Sequence, residues 1–147
     1  MFRGRFEHFI DGKGRTSIPA KFREVLQSTY RDERLVLTNF DGCLWAYPFK
    51  EWEKVEGKVA SLPQFKKEVK AIQRMFISSA IDIPLDKLGR ILIPSILREY
   101  AGLKREIFFV GMTNRIEIWD KGAWQKEFNQ SQENLDAVGE ALAEFGI

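Results

Sequence analysis

The sequence has almost none of the residues that usually carry reaction chemistry. Its one cysteine, Cys43, excludes an intramolecular disulfide and a thiolate metal cluster. Its setting, Asp41-Gly42-Cys43-Leu44-Trp45, is that of a small residue entering a strand. The one histidine, His8, has no Cys–His or Ser–His companion. There is no GxxxxGKS/T loop, no HExxH and no glycine-rich fingerprint after a strand. The chain is therefore expected not to be an enzyme and to use no cofactor or metal. No apolar run approaches the roughly 18 residues of a membrane span. Met1-Phe2-Arg3-Gly4-Arg5 lacks the apolar segment of a secretion signal, so a cytoplasmic protein is expected.

What is present is a duplication. Asp11-Gly12-Lys13-Gly14-Arg15-Thr16-Ser17-Ile18-Pro19-Ala20-Lys21-Phe22-Arg23-Glu24 returns 75 positions later as Asp86-Lys87-Leu88-Gly89-Arg90-Ile91-Leu92-Ile93-Pro94-Ser95-Ile96-Leu97-Arg98-Glu99. Seven of these fourteen positions are identical, Gly and Pro among them, which composition alone does not produce. Leu44 to Lys54 then parallels Ile116 to Lys126 at an offset of 72. The second copy is thus three residues shorter, with the loss placed within Gln27 to Arg34, opposite Gly102-Leu103-Lys104-Arg105. A unit of about 70 residues buries little apolar surface alone, so the copies should pack on each other or on neighbouring chains. The division predicted is a first repeat over 1–60, a linking helix over 61–76 and a second repeat with C-terminal helices over 77–147.

Charge is unevenly divided. Residues 1–80 carry fifteen Lys/Arg against ten Asp/Glu, whereas 81–147 carry eight against eleven. The first 23 residues hold Arg3, Arg5, Lys13, Arg15, Lys21 and Arg23 against Glu7 and Asp11. A basic end on a nearly neutral chain points to a polyanion partner.

Along the chain, residues 2–10 read as a strand, 11–14 as a turn and 15–18 as a second short strand. Pro19 suits the first turn of a helix whose apolar face is Phe22, Val25 and Leu26. Leu35–Thr38 and Cys43–Tyr47 form a hairpin, followed by a helix with Phe49, Trp52, Val55 and Val59 on one side. After Pro63, Phe65, Val69, Ile72 and Phe76 mark a further helix with Lys66, Lys67, Lys70 and Arg74 opposite. The second copy repeats the plan: strands 77–83 and 90–93, a helix from Pro94 closed by Gly102, and strands 107–110 and 116–119. Helices over 121–128 and 132–145 finish the chain, the last with Leu135, Val138, Leu142 and Phe145 on one face. Trp45, Trp52, Trp119 and Trp124, within the repeated stretches, are expected in the core. Thr16-Ser17-Ile18 should have one wet face and Ile91-Leu92-Ile93 none, making the second copy the more structural and the first the more available to a ligand.

Asp11 and Asp86 could be a carboxylate pair for acid–base work, but their repeated place before Gly-Arg favours turn bracing, with Gly14 and Gly89 as turn residues. Arg15 and Arg90 admit two readings. Each could staple its own turn to the aspartate, or present its planar donor fork to phosphates and guanine edges. For Arg90, in an acidic and apolar half, the staple is favoured; for Arg15 both readings stand.

The opening Met1-Phe2-Arg3-Gly4, the Asp11–Arg15 turn with Ile18-Pro19-Ala20-Lys21-Phe22-Arg23, and Gly89-Arg90-Ile91-Leu92-Ile93-Pro94 with Leu97-Arg98 closely resemble the MraZ family over essentially the whole chain. The resemblance implies an α+β, mainly β fold: a tandem-repeat AbrB/SpoVT-like swapped-hairpin β-barrel with peripheral helices. It also implies a bacterial, nucleoid-associated, DNA-binding transcriptional regulator of the cell-division and cell-wall gene cluster, assembled as a ring-shaped homo-oligomer on promoter repeats. By position, Lys13 and Arg15 with Arg3, Arg5 and Lys21 would face double-stranded DNA, and Arg23 and Arg90 less so. Gly12 departs from the residue common in the family, and Leu88 stands where the first copy has Lys13. The rival from another class is a protein-binding assembly module of the antitoxin type without DNA specificity.

Overall fold

The structure is a computed structural model describing residues 1–147. β1 (Arg5–Phe9) leads through a turn to β2 (Arg15–Ser17), and Pro19 at φ −51° opens α1 (Ala20–Val25). A π-helical turn (Leu26–Tyr30) follows, then the hairpin β3 (Leu35–Phe40) and β4 (Cys43–Pro48). α2 (Phe49–Ala60) and α3 (Lys67–Ile72) come next, α3 running into a second π-helical turn (Gln73–Ile77). The second copy supplies β5 (Ile81–Ile83), β6 (Arg90–Leu92), α4 (Ser95–Ala101), β7 (Glu106–Gly111), β8 (Ile116–Asp120) and α5 (Lys121–Glu133), and α6 (Leu135–Glu144) ends the chain. Three helices start on a proline, Pro19, Pro48 and Pro94, whose fixed φ suits a helix start and whose missing N–H costs nothing there. Asp120 takes that place before α5, and its carboxylate accepts the Ala123 N–H at 3.2 Å.

Six antiparallel strands form one sheet in the order β1-β7-β8-β4-β3-β5, and β2 pairs with β6 in a separate ribbon. The pairing exchanges strands between copies. β1 lies on β7 with Arg5 opposite Val110, β5 lies on β3 with Leu35 opposite Ile83, and Thr16 faces Ile91 in the ribbon. Neither copy pairs its first strand with its own hairpin, so half a chain would expose two unpaired edges. The fold is α+β, as expected, but the sheet is open: β1 and β5 are its edges. The ribbon, with α1 and α4, covers one face in place of a closed ladder. Phe2, Phe22, Leu26, Leu37, Leu44, Ile91, Ile93, Leu97, Phe109 and Ile116 meet in that shared core. On the opposite face α2 and the second π-helical turn cover Val36 and Tyr47 with Trp52 and Phe76, and α5 covers Val110 and Trp119.

Several local expectations are corrected. The strand expected from Ile77 begins at Ile81, because the helix runs on to Ile77 and the Ser78 and Ser79 hydroxyls donate back to the Arg74 and Met75 carbonyls. Phe65 precedes the helix that was to bury it and is exposed. Trp52 and Trp119 are buried, but Trp45 and Trp124 only half-buried. Leu92 is 54% exposed: the β2–β6 ribbon is two strands thick at the surface, so the second-copy strand has a wet face like the first.

Candidate nucleic-acid interface

Each repeat builds the same five-residue turn. Asp11 Oδ1 accepts the N–H groups of Lys13 and Arg15, both at 2.9 Å, and Oδ2 accepts Arg15 Nε at 3.0 Å. Asp86 does the same for Leu88, Arg90 and Arg90 Nε at 2.8, 2.9 and 2.8 Å. The arginine backbone N–H, above all, holds each carboxyl below its usual range. Both aspartates therefore brace turns. One nitrogen of each guanidinium is spent on that brace, yet the Arg15 and Arg90 side chains stay 45% and 42% exposed. The outer edge of each fork is free.

The turns are locked across the copies. Ile18 N–H donates to the Gly89 carbonyl at 2.9 Å, and Ile93 N–H to that of Gly14 at 2.8 Å. Gly14 sits at φ +91°, where a Cβ would lie 2.6 Å from the Ile93 oxygen and 2.7 Å from Arg98 Nε. Gly89, at φ +76°, would meet Arg23 Nη1 at 2.8 Å. So Arg23 lies under the second turn and Arg98 under the first.

Here the three extra residues of the first copy matter. They follow its π-helical turn and bring Glu33 to Arg23 Nε at 3.2 Å, with Gln27 Nε2 donating to the same oxygen at 2.6 Å. Arg23 is thereby held in an ion pair. The shorter second-copy loop has no such carboxylate. Arg98 donates only to the Ile93 carbonyl, at 3.0 Å. Lys104 and Arg105 follow Gly102, which closes α4 in the left-handed conformation at φ +59°.

The outcome is an open cleft of about 660 Å³ beside the first turn. Arg15, Arg90, Arg98, Lys104 and Arg105 line it, and Asp11 is the one acid in its wall. Four of these five cations belong to the second copy. Arg90 lies here beside Arg98, Lys104 and Arg105, three cations that the sequence pattern did not single out. Their signal was the adjacent Lys104-Arg105 pair in the shortened loop, hidden by the net acidity of that half.

Lys13 stands at the exposed tip of the first turn and Lys21 on the exposed side of α1, neither held by an ion pair. Arg3 and Arg5 are not brought to them. β1 is antiparallel to β7 with Arg5 against Val110 and Phe9 against Glu106, so six residues at about 3.3 Å each place Arg5 about 20 Å from Asp11. Its guanidinium lies over the Phe128 ring of α5, 4.9 Å from the centroid. His8 packs edge-on against Phe109, and burial lowers its pKa. Cys43 is fully buried and burial raises its thiol pKa, which disfavours the reactive thiolate. No group of three His, Cys, Asp or Glu side chains is placed to hold a metal ion, and no helix is long and apolar enough to cross a membrane.

Fold and site together define a duplicated α+β protein whose crossed, aspartate-braced turns open on a cationic cleft. The chain belongs to the MraZ family. The family model described as "MraZ protein, putative antitoxin-like" matches it twice, over residues 1–75 and 76–145. It is 44% identical over 147 residues to the protein named Transcriptional regulator MraZ of Pediococcus pentosaceus, covering all of both chains. Proteins of the same name from Acetivibrio thermocellus and Thermoanaerobacter sp. are 42% and 41% identical over 148 residues, again at full coverage.

Proposed function

We propose that this protein is a sequence-specific, double-stranded-DNA-binding transcriptional regulator. The observation that carries the reading is the cleft with five cations and one acid, walled by both braced turns. Arg98, Lys104 and Arg105, none of them in an ion pair, give the groove an excess of three positive charges, which suits a phosphate backbone because each phosphate neutralised releases condensed counterions. Lys13 and the free fork of Arg15 stand at the rim, where a base edge or phosphate can be met. Lys21 extends the basic surface, while Arg3 and Arg5 would engage only DNA that runs about 20 Å along β1. The strand exchange supports an AbrB/SpoVT-like swapped-hairpin arrangement in one chain, with repeats 1–60 and 77–147 joined through 61–76.

One such cleft binds weakly. A ring-shaped homo-oligomer on repeated promoter sites, as in a nucleoid-associated regulator of the bacterial division and cell-wall gene cluster, gains by effective concentration. The word "antitoxin-like" in the family description favours a second reading, a protein-binding module, which predicts no salt-dependent DNA affinity.

The test is fluorescence anisotropy of native protein and Arg15→Ala on a duplex from the chain's own upstream region and on a scrambled one, across a salt series. The expected result is preference for the upstream duplex, a steep salt slope, and a slope shallower by about 0.9 in Arg15→Ala with oligomer size unchanged. Binding indifferent to both salt and Arg15 would refute the site.

A further inference from the structure

The two copies part company at one place where the duplication should make them alike. Phe2 is buried with its ring edge-on to Phe22, centroids 5.5 Å apart, and Phe6 meets the same ring at 5.1 Å. The segment that delivers Phe2 runs along the end of β7. Phe2 and Thr113 exchange backbone hydrogen bonds at 2.8 and 3.0 Å, and Gly111 N–H donates to the Gly4 carbonyl at 2.8 Å. In the second copy the counterparts of Phe2, Phe6 and Phe22 are Ile77, Ile81 and Leu97. All three rings are thus replaced by smaller side chains, and Ile77 has gone over to the Trp52–Phe76 cluster on the opposite face of the sheet. An open cleft of about 600 Å³ is left where β3, the start of β5 and α4 meet.

The strand beside this cleft is unpaired at its end. β5 meets β3 only at Leu35, Val36 and Leu37. Phe40 faces Cys43 across a two-residue turn, so Asn39 and Asp41 direct their backbone N–H and C=O groups away from β4. These two residues are the counterparts of Gly111 and Thr113, and Asp41 and Thr113 share the left-handed backbone, at φ 56° and 67°. No backbone hydrogen bond reaches them from residues 77–80. The cleft wall is rich in acceptors. Glu99 is its one charged group, Asn39 Oδ1 has no hydrogen-bond partner, and the Ser78 and Ser79 hydroxyls have already donated to main-chain carbonyls. Tyr100 stands at the mouth, 42% exposed, and its hydroxyl accepts the Gly42 N–H at 3.3 Å, which ties α4 to the free end of β3.

We propose that the free end of β3 receives an extended peptide segment of a partner protein, an aromatic residue next to an arginine or lysine. The segment pairs with Asn39 and Asp41 as an added strand and sets its ring in the cleft beside Leu97. The side-chain chemistry follows from the wall: the apolar floor takes the ring, and Glu99 with its neighbouring acceptors takes a donor-rich cation. Asn39 carries the Cβ that Gly111 lacks, and at Gly111 that atom would lie 2.6 Å from the backbone of Phe2 and Arg3. The partner segment therefore crosses β3 farther out, at van der Waals distance. The cleft shares no lining residue with the cationic one and is opposite to it in charge, so it does not depend on DNA recognition.

The probe is a fluorescent peptide of residues 1–6, the segment that fills the equivalent place in the first copy, titrated with the full-length protein and followed by anisotropy. Saturable binding is expected, weaker by about tenfold or more in Glu99→Lys, which inverts the one charge of the wall. Leu97→Phe, which restores the ring of the first copy and fills the cleft, should weaken it as much, and so should Phe2→Ala in the peptide. Amide hydrogen exchange at Asn39 and Asp41 should slow when the peptide is present, because an added strand protects those two N–H groups. Absence of saturable binding, or equal affinity in native protein and Glu99→Lys, overturns the proposal. A change in the sedimenting size of Glu99→Lys would show that another copy of this chain occupies the cleft. Tyramine binding as tightly as the peptide would make it a small-molecule pocket. Either result also overturns the peptide site.

Discussion

Replacing Gly14 by alanine tests whether the two copies lock each other's turns. At φ +91° an alanine is strained by roughly 1–2 kcal/mol. Its Cβ would also sit 2.6 Å from the Ile93 carbonyl oxygen, which is backbone and can move away only by shifting β6. That shift weakens the 2.8 Å bond from Ile93 N–H to Gly14 O, a net loss of about 1 kcal/mol. The expected destabilisation is about 3 kcal/mol, which for a domain of this size lowers the melting temperature by about 6–12 °C. Two controls share the chemistry but differ in surroundings. Gly89→Ala keeps the strain at φ +76° but meets the end of a flexible arginine, so about half the loss is expected. Gly12→Ala meets nothing within 4 Å at an ordinary φ and should stay within about 0.5 kcal/mol of native. Thermal denaturation followed by circular dichroism ranks the three. If Gly14→Ala melts with Gly12→Ala, the cross-copy lock is refuted.

Three further outcomes follow from named contacts. Lys104→Ala with Arg105→Ala should make the salt dependence of DNA binding shallower by up to about 1.8 while the fold melts as native; an unchanged slope removes these residues from the phosphate track. Arg115 pairs with Glu117 at 3.3 Å and lies 3.8 Å from the Trp45 ring centroid, while Glu117 is only 7% exposed. Arg115→Ala should therefore cost about 2–3 kcal/mol in denaturant unfolding, for it strands a buried carboxylate with one donor, Trp119 Nε1; a loss under about 0.5 kcal/mol contradicts this. Finally, Asp11 and Asp86 have lowered folded pKa values, so their contribution is present above the unfolded value near 3.8 and disappears as pH falls through the lower folded value. The melting temperature of Asp86→Ala should lie below native at pH 7 and converge with it in acid; a gap independent of pH points to a role other than the ionised brace.

Much of the fold was legible because its signals are local. The turns at 11–15 and 86–90 are closed by hydrogen bonds spanning two to four residues, and the prolines before α1, α2 and α4 act on their own neighbours. The duplication declared itself by identity at a constant offset, and the apolar stripes of α1, α2 and α6 by spacing. The misplaced elements were those whose ends depend on a distant partner. β5 is strand only where β3 pairs with it, and Phe65 is left outside because nothing there covers it. Leu92 reads as core by composition but lies on the outer face of a ribbon whose inner face is already filled by Ile91 and Ile93.

The candidate site divides along the same line. By itself the sequence determined the two aspartate-braced arginine turns, the basic first turn and the family, since each rests on residues a few positions apart or on identity along the chain. Only the tertiary structure decided which cations lie together. Crossing the strands brings Arg90, Arg98, Lys104 and Arg105 to Arg15 and sends Arg5 to the far end of β1. A three-residue difference in loop length gives Arg23 a carboxylate and leaves Arg98 without one. Charge summed along a chain cannot report this, because electrostatic interaction depends on distance in space, and here exchange between the copies sets that distance.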